Sequence, residues 1–451
     1  MSSIHKIDSP TIPNERIYQN TTGTLMMHLK RAGVRDVDTI AEQMDDLRQQ
    51  QLSEGIYSFD SFSCLGSDAS SPIATSLNQA PHDCVIWSTN LYLGLNRHPQ
   101  IIEKVVDAVQ RFGTGCGTSA ISGGMNILHK KIEAKLQQWL GKESVMLFPT
   151  GFTANMGALA ALCQENDHVL IDEESHASIR DGIRLSPTRR WISFGHNSIE
   201  DLQRKLEFSQ RECTGKIIVV VESAYSMSGD ICPLAELVAL KRCFNFLIFV
   251  DEAHSFGLYG EGGRGLCYQE NVIDQVDFIA STFSKAAASI GGFVTTERRF
   301  VSYFQWSSNA YAFQACFTPA DAAAVLAALE VIETSPDIAR TLHEKNAYMR
   351  LRLKRAGFDL RSSQTPIVPI YISDTEKLLK ICFELYKRGV FSVPVAYPMV
   401  GANDGRIRLI VNVRHSYEQI DRTVDLLDDL AKEFELFNAK DMRTPSSLSN
   451  I

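Results

Sequence analysis

The chain has 451 residues, is 44% hydrophobic and carries a formal net charge of −8, enough for two or three domains with a large core, and its mild acidity argues against a nucleic-acid partner, which selects a basic face. Its ten cysteines form no CxxC or other close pair, so neither a metal site nor a disulfide framework is expected and a reducing cytosol is the expected setting. No apolar run approaches the roughly 20 residues that span a bilayer, and the N-terminus "MSSIHKIDSPTIPNER" lacks the apolar stretch of a secretory signal.

In chain order, residues 1–24 are polar, and residues 25–55 have helical spacing of apolar positions. "GSDASSP", 66–72, is expected as a loop. From about residue 100 helical and strand patterns alternate. "PQIIEKVVDAVQRF" and "NILHKKIEAKLQQWL" are expected helices; "SVMLF", "HVLID", "KIIVVVES", "FLIFVDEA" and "VDFIAST" are expected strands. "FTANMGALAAL" and "PLAELVALKRCF" are helical between some of them. Such alternation implies a mostly parallel α/β sheet with ligands outside the carboxyl ends of its strands. After the long helical run that begins near Pro319, "IVPIYI" and "RIRLIVNV" mark strands of a smaller α+β part. The division expected is an N-terminal extension over 1–85, a large α/β domain over 86–330, a small α+β domain over 331–436 and a tail over 437–451.

Five expected strand or turn ends carry polar groups of different kinds. Asp251 ends "FLIFVD", with His254 shortly after; an aspartate there caps a helix or binds a ligand. Lys285 follows "VDFIASTFS"; a desolvated lysine amine is a nucleophile, whereas most lysines are solvated. The turn before "GFTAN" is a commonplace βα turn or, through helix N-terminal N–H groups, a phosphate cradle. His176 follows "HVLIDEES", and Glu222 and Ser226 follow "KIIVVV"; capping or core packing explains each singly. Together, one phosphate cradle, one carboxylate, one amine, one imidazole and one hydroxyl describe a site for pyridoxal 5′-phosphate, which needs a lysine and an acid at its pyridine nitrogen.

With these motifs the sequence resembles the α-oxoamine synthases, pyridoxal phosphate (PLP) enzymes of transferase fold type I. The likeness runs from about residue 90 to about 430: "NLYLGLNRHPQII", "GTGCGTSAISGGMNILHKKIE", "TGFTAN", "SHASIRDG", "HNSIEDL", "YSMSGDICPL", "VDEAHSFGLYGEGGRG", "TFSKAAASIGGF" and "GRIRLIVNVRH" follow in the family's order. The resemblance implies that Lys285 carries the cofactor and acts as base at the amino acid's Cα. It implies that Asp251 meets the pyridine nitrogen, that His254 lies near the phenolic oxygen and that His176 stacks on the ring. Gly151, Phe152 and Thr282 hold the phosphate, with Ser226 assisting. Arg408 binds the amino-acid carboxylate, Asn90 and Glu222 lie on the substrate side, and His129 matches a family histidine. The implied reaction joins Ser, Gly or Ala to an acyl-CoA or acyl carrier protein, releasing CO2 and the thiol. A homodimer in the cytoplasm is implied, with room for peripheral membrane association if the product is a lipid.

Within the family several stretches are most similar to the serine palmitoyltransferase branch, and Ser198 after "HN" departs from 8-amino-7-oxononanoate synthases. A long-chain acyl donor is therefore expected; the alternatives are 8-amino-7-oxononanoate synthase, glycine C-acetyltransferase or an α-aminoketone synthase serving a signal or natural product. Three departures stand out. Ala120 occupies a position where the family carries Arg, "FQACFTP" places Gln314, Ala315 and Cys316 where hydroxyls are usual, and "VAYPMVG", 395–401, replaces an R-P-P-A-T-P segment. A catalytically inactive partner subunit would lack the lysine, an aminotransferase would lack the "SHAS", "SMSGD" and "DEAHS" set, and a nucleotide-binding protein would need its glycine fingerprint directly after a first strand.

Overall fold

The computed structural model describes residues 29, 33–53, 61–74, 80–397, 399–401 and 403–436; the expectations for residues 1–24 and for the tail from 437 lie outside the described residues. Helical spacing predicts a helix over 25–55, whereas the described helix is Val37–Ser53. Gly33 is in the left-handed region at φ 73°, and the Asp36 carboxylate accepts from the Thr39 N–H at 2.9 Å and hydroxyl at 2.7 Å. An acid in that place satisfies the first N–H groups and sets the start. The next segment forms β1 (Phe62–Ser63), β2 (Ser70–Ala74) and β3 (His82–Ile86). Residues 70–72, expected as loop, belong to β2, because pairing with β3 is a contact from outside the segment.

The central sheet is built from β4 (Ser144–Phe148), β5 (His168–Asp172), β6 (Arg190–Phe194), β7 (Ile217–Glu222), β8 (Leu247–Asp251), β9 (Phe278–Thr282) and β10 (Gly292–Thr296), in the order β4-β10-β9-β8-β7-β5-β6. Strand β10 runs antiparallel to β4 and β9; the other pairings are parallel. Ile218 and Val220 of β7 join one apolar cluster with Phe249, Ala154 and Leu159. Their neighbours Val219 and Val221 join another with Ile248, Leu202 and Leu237. Alternate side chains thus feed opposite layers, and helices cover both, which is why the parallel strands read as unbroken apolar runs. Strand β6 escaped the sequence reading because it is an edge strand whose Arg190, Trp191 and Ser193 are exposed.

Beyond the long helices Pro319–Thr334 and Pro336–Arg355 come β11 (Ile367–Tyr371), β12 (Val390–Phe391), β13 (Val393–Val395) and β14 (Arg406–Ile410). Strands β11, β14 and β13 form an antiparallel sheet in that order, with helix Thr375–Lys387 against it and helix Tyr417–Glu433 packed on helices Pro336–Arg355 and Thr375–Lys387. Strand β12 pairs in parallel with β3, so the 62–86 segment is bound to the C-terminal part of the chain. Fully buried Trp87 continues this seam: its indole N–H donates to the Thr423 hydroxyl at 3.0 Å, and its ring lies 3.9 Å from that of His415.

Candidate active site

The parallel strands end their carboxyl termini on one edge. Glu222 is directly opposite Asp251, and Asp251 opposite Ala280 two residues before Thr282. A cavity of about 320 Å³ opens there, lined by Gly151, Phe152, His176, Glu222, Asp251, His254, Thr282 and Lys285 among others. Eight residues singled out in the sequence therefore face one space.

Asp251 is buried and doubly held: one carboxylate oxygen accepts from the Asn155 amide at 2.6 Å, the other from the Ala253 N–H at 2.9 Å. Lys285 lines the same cavity. Burial pushes its amine down to about 8, against the pull of Asp251 and Glu222. Burial and the neighbouring Asp251 charge push the Glu222 carboxyl up to about 8; one of its oxygens accepts from the His176 N–H at 2.7 Å. His176 lies on the open side of the cavity, its Nδ1 2.7 Å from the Ser178 hydroxyl. The surrounding protein lowers its pKa below that of free imidazole. His254 is driven well below its ordinary range by burial and by the charges of Lys285 and Arg408.

At the other end, helix Gly151–Leu162 starts with a reciprocal cap in which Thr150 and Thr153 bond each other's side chains and N–H groups. The N–H groups of the first turn have no partner inside a helix, and here Gly151 and Phe152 carry them toward the cavity. A Cβ on Gly151 would stand 2.4 Å from that of Thr282, so only glycine lets the helix end approach β9 so closely. The Thr282 hydroxyl is 2.9 Å from that of Ser284 and donates to the Gly291 carbonyl at 3.1 Å.

Arg408, Asn90 and Ser226 form a group beside the cavity. Arg408 donates to the Ser226 carbonyl at 2.5 Å and to the Asn90 side-chain oxygen at 3.1 Å; it is the backbone of Ser226 that makes this contact. Arg408 is close enough for its charge to act on both Lys285 and Glu222. His129 is placed differently. Its ring caps its own helix through Asn126, and its Nε2 meets the Phe317 carbonyl at 3.0 Å. Two of the three departing segments are neighbours: Ala315 bridges Ser119, and the Cys316 N–H donates to the Thr118 carbonyl at 3.2 Å.

The "HNSIEDL" motif forms a support behind His176. His196 lies between Asp172, at 2.9 Å, and Asp230, at 2.8 Å, while the Asn197 N–H donates to Asp172 at 2.8 Å. Although burial opposes it, these carboxylates push the His196 imidazole up to about 10. Four residues at the site were not named from the sequence. Asn155 and Ser284 sit inside motifs that were quoted, "TGFTAN" and "TFSK", and their polar side chains were the available signal. Ser178 lies two residues after His176. Tyr92, whose hydroxyl is 2.7 Å from His254 Nδ1, sits inside "NLYLGLNRHPQII", but its partner is far away in the chain and nothing local says what it meets.

Residues 82–427 match the aminotransferase class I and II family. The chain is 38% identical over 352 residues to the serine palmitoyltransferase of Sphingobacterium spiritivorum, covering 78% of this chain and 88% of that one. It is 31% identical over 405 residues to the 8-amino-7-oxononanoate synthase of Thermoanaerobacter pseudethanolicus, covering 90% of this chain and 100% of that one. Among solved structures, serine palmitoyltransferase from S. paucimobilis, with a bound PLP–myriocin aldimine, superimposes with a TM-score of 0.83 at 26% identity over 89% of this chain and 100% of that one. With the family match spanning most of its length and these relatives aligned nearly end to end, the chain belongs to the aminotransferase class I and II family and, within it, to the α-oxoamine synthases.

Proposed function

We propose that the chain is a PLP-dependent acyltransferase that condenses an amino acid with an acyl-CoA, giving an α-amino ketone, free CoA and CO2. The carrying observation is the convergence of Lys285, Asp251 and His176 on one cavity. The residues fit the cofactor: a helix N-terminus and two hydroxyls make an anion cradle that a Cβ at Gly151 would fill, and an amine and a fixed carboxylate line the same cavity. Bound there, PLP supplies an electron sink for negative charge developing at the amino acid's Cα.

The chain's own groups do the rest. The Gly151 and Phe152 N–H groups, with Thr282 and Ser284, hold the phosphate. Asp251, fixed by Asn155 and Ala253, holds a proton on the pyridine nitrogen. His176 covers the ring face. Arg408 holds the amino-acid carboxylate, which suits its planar fork of donors, with Asn90 beside it. The Lys285 amine takes the Cα proton, and burial, which favours its uncharged form, suits it to act as a base.

The assignment of residues 86–330 to cofactor binding and 331–436 to the arginine side, a cytoplasmic homodimer, and a choice between CoA and a carrier protein as acyl donor follow from the resemblance. A long-chain acyl group is the favoured donor, given identity to serine palmitoyltransferases. The purified protein should be yellow, with its absorption band removed by borohydride; a colourless chain that takes up no PLP overturns the reading. Ser, Gly and Ala assayed against short and long acyl-CoAs by thiol release test the substrate, and activity confined to pimeloyl- or acetyl-CoA overturns the long-chain donor.

A further inference from the structure

We propose that Tyr92 is a positioning residue: its hydroxyl donates to Nδ1 of His254 and thereby fixes the histidine as the tautomer whose proton is on Nε2. Tyr92 is fully buried, His254 is 4% exposed, and the two atoms are 2.7 Å apart. Either atom could in principle be the donor. A phenol O–H is a stronger acid than a neutral imidazole N–H, and imidazole nitrogen is a stronger acceptor than phenol oxygen, so the phenol proton lies between them and Nδ1 supplies the lone pair. Burial raises the Tyr92 pKa above its ordinary value, so the hydroxyl keeps its proton. His254 is held neutral by burial and by the charges of Lys285, Arg408 and His176, so one nitrogen is bare and the other protonated.

The ring's two nitrogens point in different directions, and His254 itself lines the cavity. With Nδ1 committed to Tyr92, the N–H at Nε2 is what the ring offers elsewhere. Tyr92 is in turn fastened by its own backbone, whose carbonyl accepts from the Val413 N–H at 2.8 Å. The hydrogen bond made by one ring nitrogen commonly decides which nitrogen carries the proton. What the Nε2 proton meets rests on the proposed function, for which the resemblance implies that His254 would lie near the phenolic oxygen of PLP; where the proton sits is a property of the chain alone.

The test is nitrogen NMR of the full-length chain carrying ¹⁵N-histidine, as purified and after removal of cofactor, with His254→Gln to assign the signal. Expected is a bare Nδ1 and a protonated Nε2 at neutral pH in both forms. Tyr92→Phe, which keeps the ring and its packing, should move the signal toward mixed tautomers, shift the pH dependence of the cofactor's absorption, and lower kcat about 5- to 10-fold with KM for the amino acid within about twofold. A protonated Nδ1 in the unsubstituted chain, or a Tyr92→Phe signal identical to it, overturns the proposal, and the first needs no variant to fold. A chain that shows the expected tautomer yet never takes up PLP supports this inference and overturns the functional reading instead.

Discussion

Lys285 and Glu222 share one buried space, and their protons respond to each other and to Asp251. Glu222, pushed up to about 8 from 4.5, keeps its proton in the folded chain where the unfolded chain has lost it. Its contribution to stability is full below about pH 4.5 and is lost as the pH rises through 8, because the folded state then binds the extra proton. In the cofactor-free chain, Glu222→Gln should therefore flatten the fall in melting temperature between pH 5 and 8; an unchanged slope would reject the shift. At Lys285, Lys285→Ala should abolish both the yellow colour and turnover, a loss of at least about a thousandfold. Asn155→Ala would leave one oxygen of Asp251 without its 2.6 Å donor. The expected result is a kcat lowered about tenfold, with the fold intact by circular dichroism.

Between elements, the ends of β5, β6 and β7 are tied by His196. Its raised pKa, about 10 against 6.5, makes a contribution to stability that is fully present below pH 6.5 and lost as the pH rises through 10. His196→Gln should cost a few kcal/mol at pH 6, on the order of ~2–4 by urea unfolding, and the gap to wild type should shrink at pH 10. The helix that begins at Gly151 tests the phosphate cradle at the same scale. Gly151→Ala drives a methyl group into Thr282 and should weaken PLP binding by about tenfold or more in equilibrium titration. This scale also explains what the sequence made legible. Lys285, Asp251, His176 and Glu222 stand out because each follows an apolar run, and their meeting follows once the runs are aligned as one parallel sheet. The Tyr92–His254 bond and the β3–β12 pairing do not stand out, because both depend on contacts between segments 162 residues apart or more. Within the helical stretch expected over 25–55, the described helix begins at Val37, where the Asp36 carboxylate meets the Thr39 N–H, a cap that apolar spacing does not show.

For the molecule as a whole, the β3–β12 pairing and the Trp87–His415 stack join the beginning of the described chain to its end. Arg408 is delivered to the cavity edge by β14, whose Ile410 N–H donates to the Trp87 carbonyl at 2.8 Å. A chain trimmed to begin at residue 88 would leave Val390 and Phe391 unpaired on an exposed strand edge, which invites association, and would remove the Trp87 carbonyl that the Ile410 N–H meets. We expect such a chain to melt several degrees lower and to aggregate in size-exclusion chromatography. Its KM for the amino acid should rise more than its kcat falls, since the strand that steadies Arg408 has lost its anchor.

The antiparallel β10, inserted between β4 and β9, carries a consequence for how the chain acquires its shape. The helix end at Gly151 and the hydroxyl of Thr282 touch although one follows β4 and the other ends β9, far along the chain. Their contact exists only after β10 has closed the sheet between them, and such distant pairings form slowly. The anion cradle therefore depends on contacts distant in the sequence, and the appearance of cofactor absorption after dilution from denaturant would time the closing of the sheet around β10.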